Sequence, residues 1–228
     1  MRLPYRAAPD NLAPALFSSQ PHHPSTKTGS LWYDRQMLDK SLPFYDIFMK
    51  RVSGSVIPPA EAPEGIRIRS YQDGDEEFWA ATETAVGEFS RKEDALARFS
   101  RDFLPWKEEL PIRCLFAVTP EGKPVGNLSV WWNNPETRNC PWIHWVAVHP
   151  EYQGRGIGTY LVNFGLHLAV KLEGDTDIYL KTQTWSWRAI RIYLAAGFRV
   201  TDEPEIFGFI NKDPSSGRLV LKDKVPGI

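Results

Sequence analysis

Glycines at 154, 156 and 158 follow an apolar run, Val146-Ala147-Val148, and a short polar turn through His149 to Tyr152. Glycine leaves its backbone N–H uncovered and takes positive φ at little cost. A helical pattern opens at Thr159-Tyr160-Leu161, so those amides stand at the positive end of a helix, which favours an anion. A strand, a bare loop and a helix in this order suit the pyrophosphate of a phosphorylated cofactor. A Rossmann fingerprint, G-x-G-x-x-G, needs its third glycine where Thr159 stands, and no Gly-Lys-Ser/Thr of a Walker A loop follows.

A second constellation lies downstream, from Ser186 to Phe198. Ser186 is a helix N-cap type, Ala189, Ile192, Tyr193 and Ala196 share one helical face, and Gly197 is placed to end the helix. Together, Gln153-x-x-Gly156-x-Gly158 and the later Ala189, Tyr193, Gly197 and Phe198 resemble two motifs of the GNAT superfamily of acyl-coenzyme A-dependent N-acetyltransferases. The resemblance covers about residues 66–222. It implies acetyl-coenzyme A (acetyl-CoA) as donor and no metal. It also implies pantetheine held by the backbone of Val146, Ala147 and Val148. The pyrophosphate would lie on the amides of Gln153, Gly154, Arg155, Gly156, Ile157, Gly158 and Thr159. Ser186 stands where the family often has an asparagine that touches the cofactor. Tyr193 matches the tyrosine that serves as general acid toward the departing sulfur, its alternative reading being a core tyrosine.

Acetylating an amine requires that a proton leave first, because an alkylammonium has a pKa of about 10. Some members of the superfamily carry a glutamate on the central strand where this chain has Trp142. Period-two alternation places His144 on the face of Trp142 and Val146, as either a base or a hydrogen-bonded structural residue. Glu88, late in the first helix, either lines the acceptor cleft or lies on a solvated face. Gln183, Trp185 and Trp187 flank the start of the later helix, where with Trp142 they form either an aromatic wall for the amine or ordinary core.

The elements that must position these groups read from Ile66 onward as β-α-α-β-β-β-α-β-α-β-β. The fold class is α/β (α+β), a mixed, mostly antiparallel sheet flanked by helices. A last strand pair is expected near 205–210 and 218–222, turning at Pro214-Ser215-Ser216-Gly217. Residues 65–228 form the catalytic domain and residues 1–64 an extension. Within the extension, 1–30 read as a flexible arm and 31–51 as an apolar-aromatic patch of two short pieces, each helical, that docks on the domain or on a partner. Basic and acidic residues balance at 27 and 28, and no basic stripe argues for nucleic acid. No apolar run approaches a membrane span, and two cysteines, Cys114 and Cys140, fit a reduced, cytoplasmic protein. The expectation is an N-acetyltransferase acting on a primary amine, of a small molecule first and of a peptide or protein second. It would work alone or as a homodimer. A non-catalytic acyl-coenzyme A sensor is the reading from a different class.

Overall fold

The strand Asp46–Arg51 (β1) lies inside the sheet, antiparallel to one neighbour on each side. The computed structural model describes residues 38–228, which belong to one compact unit, Arg35–Ile228. The arm expected over 1–30, with Trp32 and Tyr33 of the aromatic patch, lies outside the described residues. Tyr45 to Met49 form neither of the short helices expected for the patch. Ile47 and Met49 point to one cluster of buried side chains and Phe48 to another, the alternation of a strand covered on both faces. The boundary expected at 64–65 therefore does not divide the described residues, since β1 is an interior strand of the same sheet.

The chain continues through β2 (Arg67–Ser70), α1 (Asp75–Ala85), α2 (Lys92–Asp102) and a one-turn α3 (Leu110–Arg113). Next come β3 (Cys114–Val118), β4 (Pro124–Asn134), β5 (Asn139–Val148) and α4 (Ile157–Glu173). The remainder is β6 (Ile178–Gln183), α5 (Trp187–Ala195), β7 (Arg199–Val200), a small hairpin of β8 (Glu205–Ile206) and β9 (Phe209–Ile210), and α6 (Pro214–Leu221). The main sheet runs β2-β3-β4-β5-β6-β1-β7, and its one parallel contact is between β5 and β6. One face packs Leu128, Val130, Ile143, Ile178 and Leu180 against Leu161, Leu166 and Ala169 of α4. The other packs Phe116, Trp131 and Trp145 against Trp79 of α1 and Phe99 of α2.

The C-terminus corrects a second expectation. Residues 214–221 form α6, not the last strand of a pair. Asp213 caps this helix by accepting from the Ser216 amide at 3.0 Å, and Pro214 sits in the first turn, where its missing N–H is no loss. Gly217 lets the helix press onto β1, since a Cβ there would come within 2.5 Å of Ile47 Cδ1.

Candidate active site

The site begins at a defect in β5. Ser129 pairs with His144 and Asn127 with Ala147, so Trp145 and Val146 together oppose Leu128 in a β-bulge. Trp145 has φ of +52°, a left-handed conformation that costs a bulky residue about 1–2 kcal/mol. Two things hold it there. Asn127 Nδ2 donates to the Trp145 carbonyl at 2.8 Å, and the indole packs against Trp79 and Phe89 with ring centroids 5.1 and 5.8 Å away.

The bulge also ends the contact with β6. The two strands are paired at Trp142 and Tyr179, and beyond that point β5 runs on without a ladder to β6. The β6-facing edge of Val146, Ala147 and Val148 is therefore open, while β4 holds their other side. Gln153 folds back and donates its side-chain amide to the Val148 carbonyl at 2.9 Å, tying the following loop to the strand end.

In that loop the glycines divide their work. Gly154 and Gly156 take φ of +77° and +80°, which turns the chain into α4. Gly158 has ordinary φ, and a Cβ there would sit 3.1 Å from Ile192 Cδ1, so this glycine serves the approach of α4 to α5. The amide of Tyr160 closes the first helical bond, to Gly156. Ahead of it, the amides from Gly154 to Thr159 have no acceptor among the described residues. Arg155 lies over the Tyr152 ring at 5.2 Å and Lys123 at 5.4 Å, placing positive charge beside the loop. Bare amides at a helix start, flanking cations and an open strand edge fit an acyl carrier that bears a diphosphate.

Across the bulge lies a cluster of ionisable groups. Glu83 is fully buried on α1 and accepts from Asn127 Nδ2 at 2.9 Å, the same amide that holds Trp145. Burial pushes its carboxyl up to about 8, the Asn127 bond opposes the shift, and the charge of Glu88 adds to it. Tyr193 is buried on α5, and its phenol is raised first by burial and then by the charges of Glu83 and Glu88. Glu88 lies just beyond α1 and is exposed, its carboxyl raised by the surrounding protein while Gln183 and Lys40 oppose the shift. Gln183 Nε2 donates to Glu88 Oε1 at 2.8 Å. Glu83, Glu88, Gln183 and Tyr193 thus come together from three separate elements and a loop.

Of the residues expected to act, Tyr193, Glu88 and Gln183 are gathered here, and His144 is not. His144 stacks on Trp142 at 5.6 Å, and the charges that act on it are Asp102 and Arg98 of α2. Burial pushes its imidazole down to about 4, so it is neutral and weakly basic near pH 7. Its Nε2 has no hydrogen-bond partner among the described residues. The alternation that put His144 and Val146 on one face is broken by the bulge between them. Trp142 is buried against Phe48, Tyr179 and Phe209.

Ser186 does occupy the N-cap position of α5, but its buried side chain makes no capping bond. Trp185 and Trp187 turn to the segment before β1 instead of forming a free wall. Trp185 Nε1 donates to the Leu42 carbonyl at 2.8 Å, and Trp187 Nε1 donates to Asp39 at 3.2 Å.

The profile of the Acetyltransferase (GNAT) family matches residues 71–198, more than half of the chain. The chain belongs to the GNAT acetyltransferase family. Among curated relatives, an uncharacterized N-acetyltransferase of Methanocaldococcus jannaschii is 32% identical over 104 residues, 44% of this chain and 46% of that protein. A mycothiol acetyltransferase of Paenarthrobacter aurescens is 27% identical over 171 residues, 71% of this chain and 51% of that protein. The chain spans about half the length of these relatives. A solved GCN5-related N-acetyltransferase from Sphaerobacter thermophilus is 27% identical, with a TM-score of 0.55 over 70% of this chain and 49% of that one.

Within this GNAT chain, Glu83 is the group that the sequence reading passed over. Its signal was available: Glu83 lies four residues after Trp79, on the helix face that α1 turns to the core. An acid on a buried stripe wants a partner, and here Asn127 of β4 supplies one. Among the described residues no helix is long and apolar enough to cross a membrane.

Proposed function

We propose that the protein transfers an acetyl group from acetyl-CoA to a primary amine of a small molecule, with Glu83 as general base and Tyr193 as general acid. What carries the reading is a buried carboxyl raised to about 8 at the bulge, beside a phenol kept protonated and next to a loop of bare amides.

Acetyl-CoA, the donor typical of the family, supplies an activated acyl group and a thiolate leaving group. The amides from Gly154 to Thr159 hold its diphosphate, and the open edge of Val146 to Val148 takes the pantetheine. The exposed Glu88 receives the ammonium of the acceptor. Glu83 Oε takes the proton that the ammonium must lose, a transfer helped by a carboxyl pKa brought toward that of the amine. As the C–N bond forms and the C–S bond breaks, Tyr193, which keeps its proton at any working pH, gives it from Oη to the departing sulfur. The second proton of the nitrogen, lost as the amide forms, returns to the tyrosinate, so each residue needs only one protonation state at the start. The base is ionised above about pH 8 and the acid remains protonated, and the rate rises toward that pH.

Thiol release from acetyl-CoA with a panel of small primary amines and of short peptides tests the reading. Release with small amines supports it, and release with peptides alone moves the acceptor to a polypeptide. Tight coenzyme A binding without release on any amine would identify a sensor instead.

A further inference from the structure

The segment from Leu38 to Tyr45 lies outside the residues that match the family, yet it is tied both to the start of α5 and to the turn after α1. On the α5 side it makes a backbone bond from Asp39 to the Trp185 carbonyl at 2.8 Å, besides the two indole bonds already described. Phe44 packs edge-on against Trp185 at 4.9 Å, and the Thr184 and Tyr45 backbones join at 3.0 Å. On the α1 side, Lys40 Nζ donates to the Gly87 carbonyl at 2.8 Å and lies 5.4 Å from the Trp185 ring. Gly87 has φ of +92° and directly precedes Glu88. Leu38 is buried, with its Cδ1 3.6 Å from where a Cβ on Gly87 would stand.

Lys40 therefore braces the one turn that decides where the Glu88 carboxylate points. Gln183 fixes the same carboxylate from β6. The Gly87 and Glu88 amides close this turn on α1, donating to the Thr84 and Glu83 carbonyls at 3.0 Å each, and Lys40 holds the Gly87 carbonyl from outside with a charged hydrogen bond. We propose that Lys40 is a positioning residue, holding Glu88 in the ionised, forward-facing state that receives the acceptor's ammonium, and that residues 38–45 are thereby a built part of the acceptor site. This rests on the reading of Glu88 given above. The charged and titratable groups that face Glu88 are Lys40 from the strap, Glu83 from α1 and Tyr193 from α5. Burial opposes its ionisation, and the Gln183 hydrogen bond and the charge of Lys40 favour it.

The test uses the full chain, acetyl-CoA and the best amine of the panel. Lys40→Met is expected to raise KM for the amine by roughly ten- to a hundredfold, the range of a lost charged hydrogen bond, with kcat and donor KM little changed. The rise of the amine KM on acidification should begin at a higher pH, because the cation that favours ionised Glu88 is gone, while the limb of kcat set by Glu83 stays in place. Lys40→Arg should restore most of both. In a Glu88→Gln background, Lys40→Met should add almost nothing, since the two act as one unit. An active enzyme in which Lys40→Met leaves the amine KM and its pH dependence unmoved overturns the proposal alone. So does an equal penalty in the Glu88→Gln background. A parent protein that binds coenzyme A but acetylates no amine overturns the functional reading, and this inference with it.

Discussion

The proposed cofactor half and the proposed acceptor half of this site are built in opposite ways. The first is one continuous stretch, from Val146 through Thr159, in which a strand end, two left-handed glycines and a helix start follow in order. The second draws Lys40, Glu83, Glu88, Asn127, Gln183 and Tyr193 from across the fold. The first needs only local backbone geometry to exist. The second exists only when α1, β4, β6 and α5 are packed, so its chemistry depends on burial: a carboxyl near 8 is a property of the folded core, not of the Glu83 side chain. Changes in the first half should act on donor binding and changes in the second on turnover and acceptor recognition.

The sharpest way to break this division is Glu83→Gln. A general base contributes roughly a hundred- to ten-thousandfold, so kcat should fall by about that much and lose its rise toward pH 8, while coenzyme A affinity stays within about twofold. Steady-state kinetics across pH, with calorimetry for the cofactor, would show it. The same variant also reads the cost of burying the acid. The folded carboxyl titrates near 8 and the unfolded one near 4.5, so the unfolded chain binds fewer protons between these values and stability falls as pH rises through that window. Glutamine carries no such penalty. The variant's melting temperature should draw ahead of the parent's from about pH 4.5 to about pH 8; a constant gap would mean that Glu83 is not shielded as described.

Tyr193→Phe comes next, with kcat expected to drop roughly tenfold to ten-thousandfold and donor KM little changed. A near-normal rate would leave Tyr193 as a core residue only. On the other side of the division, Gly156→Ala forces an L residue into φ of +80°, at about 1–2 kcal/mol. Calorimetry should find coenzyme A bound about ten times more weakly, with kcat at saturating donor nearly unchanged. The smallest effect is expected for Gly158→Ala, whose Cβ would meet side-chain ends, Ile192 Cδ1 at 3.1 Å and Val148 Cγ2 at 3.9 Å, and which should alter donor affinity by less than Gly156→Ala.

The same contrast explains what the sequence revealed. The glycine loop, α4 and the Tyr193 helix are legible because their signals are local: a turn residue, a helical stripe, a terminal glycine. Much of the sheet follows from alternation and turns. The strand β1, expected as helix, offers only Ile47, Phe48 and Met49 between charged residues, and so short an apolar run does not distinguish strand from helix. What made it a strand is the gap between β6 and β7, which no local pattern records. The α6 error has a different source. Asp213-Pro214 begins a helix by capping, yet the Ser-Ser-Gly that follows reads equally well as a turn.

In the acceptor half, His144 drew attention by its residue type and Glu83 did not, although burial reverses their usefulness: the imidazole falls to about 4 and the carboxyl rises to about 8. One bulge at Trp145 separates them. It breaks the alternation on which the His144 reading depended and, through Asn127, brings Glu83 to the strand. In the proposed reaction, the carboxylate absent at Trp142 is supplied from α1.

A crystal structure of the protein with coenzyme A tests the central claim most directly. The account predicts the diphosphate on the amides between Gly154 and Thr159, the pantetheine along Val146 to Val148, and the sulfur on the Tyr193 and Glu83 side of the bulge. A diphosphate bound away from that loop, or a sulfur directed to the opposite face of the sheet, would contradict it.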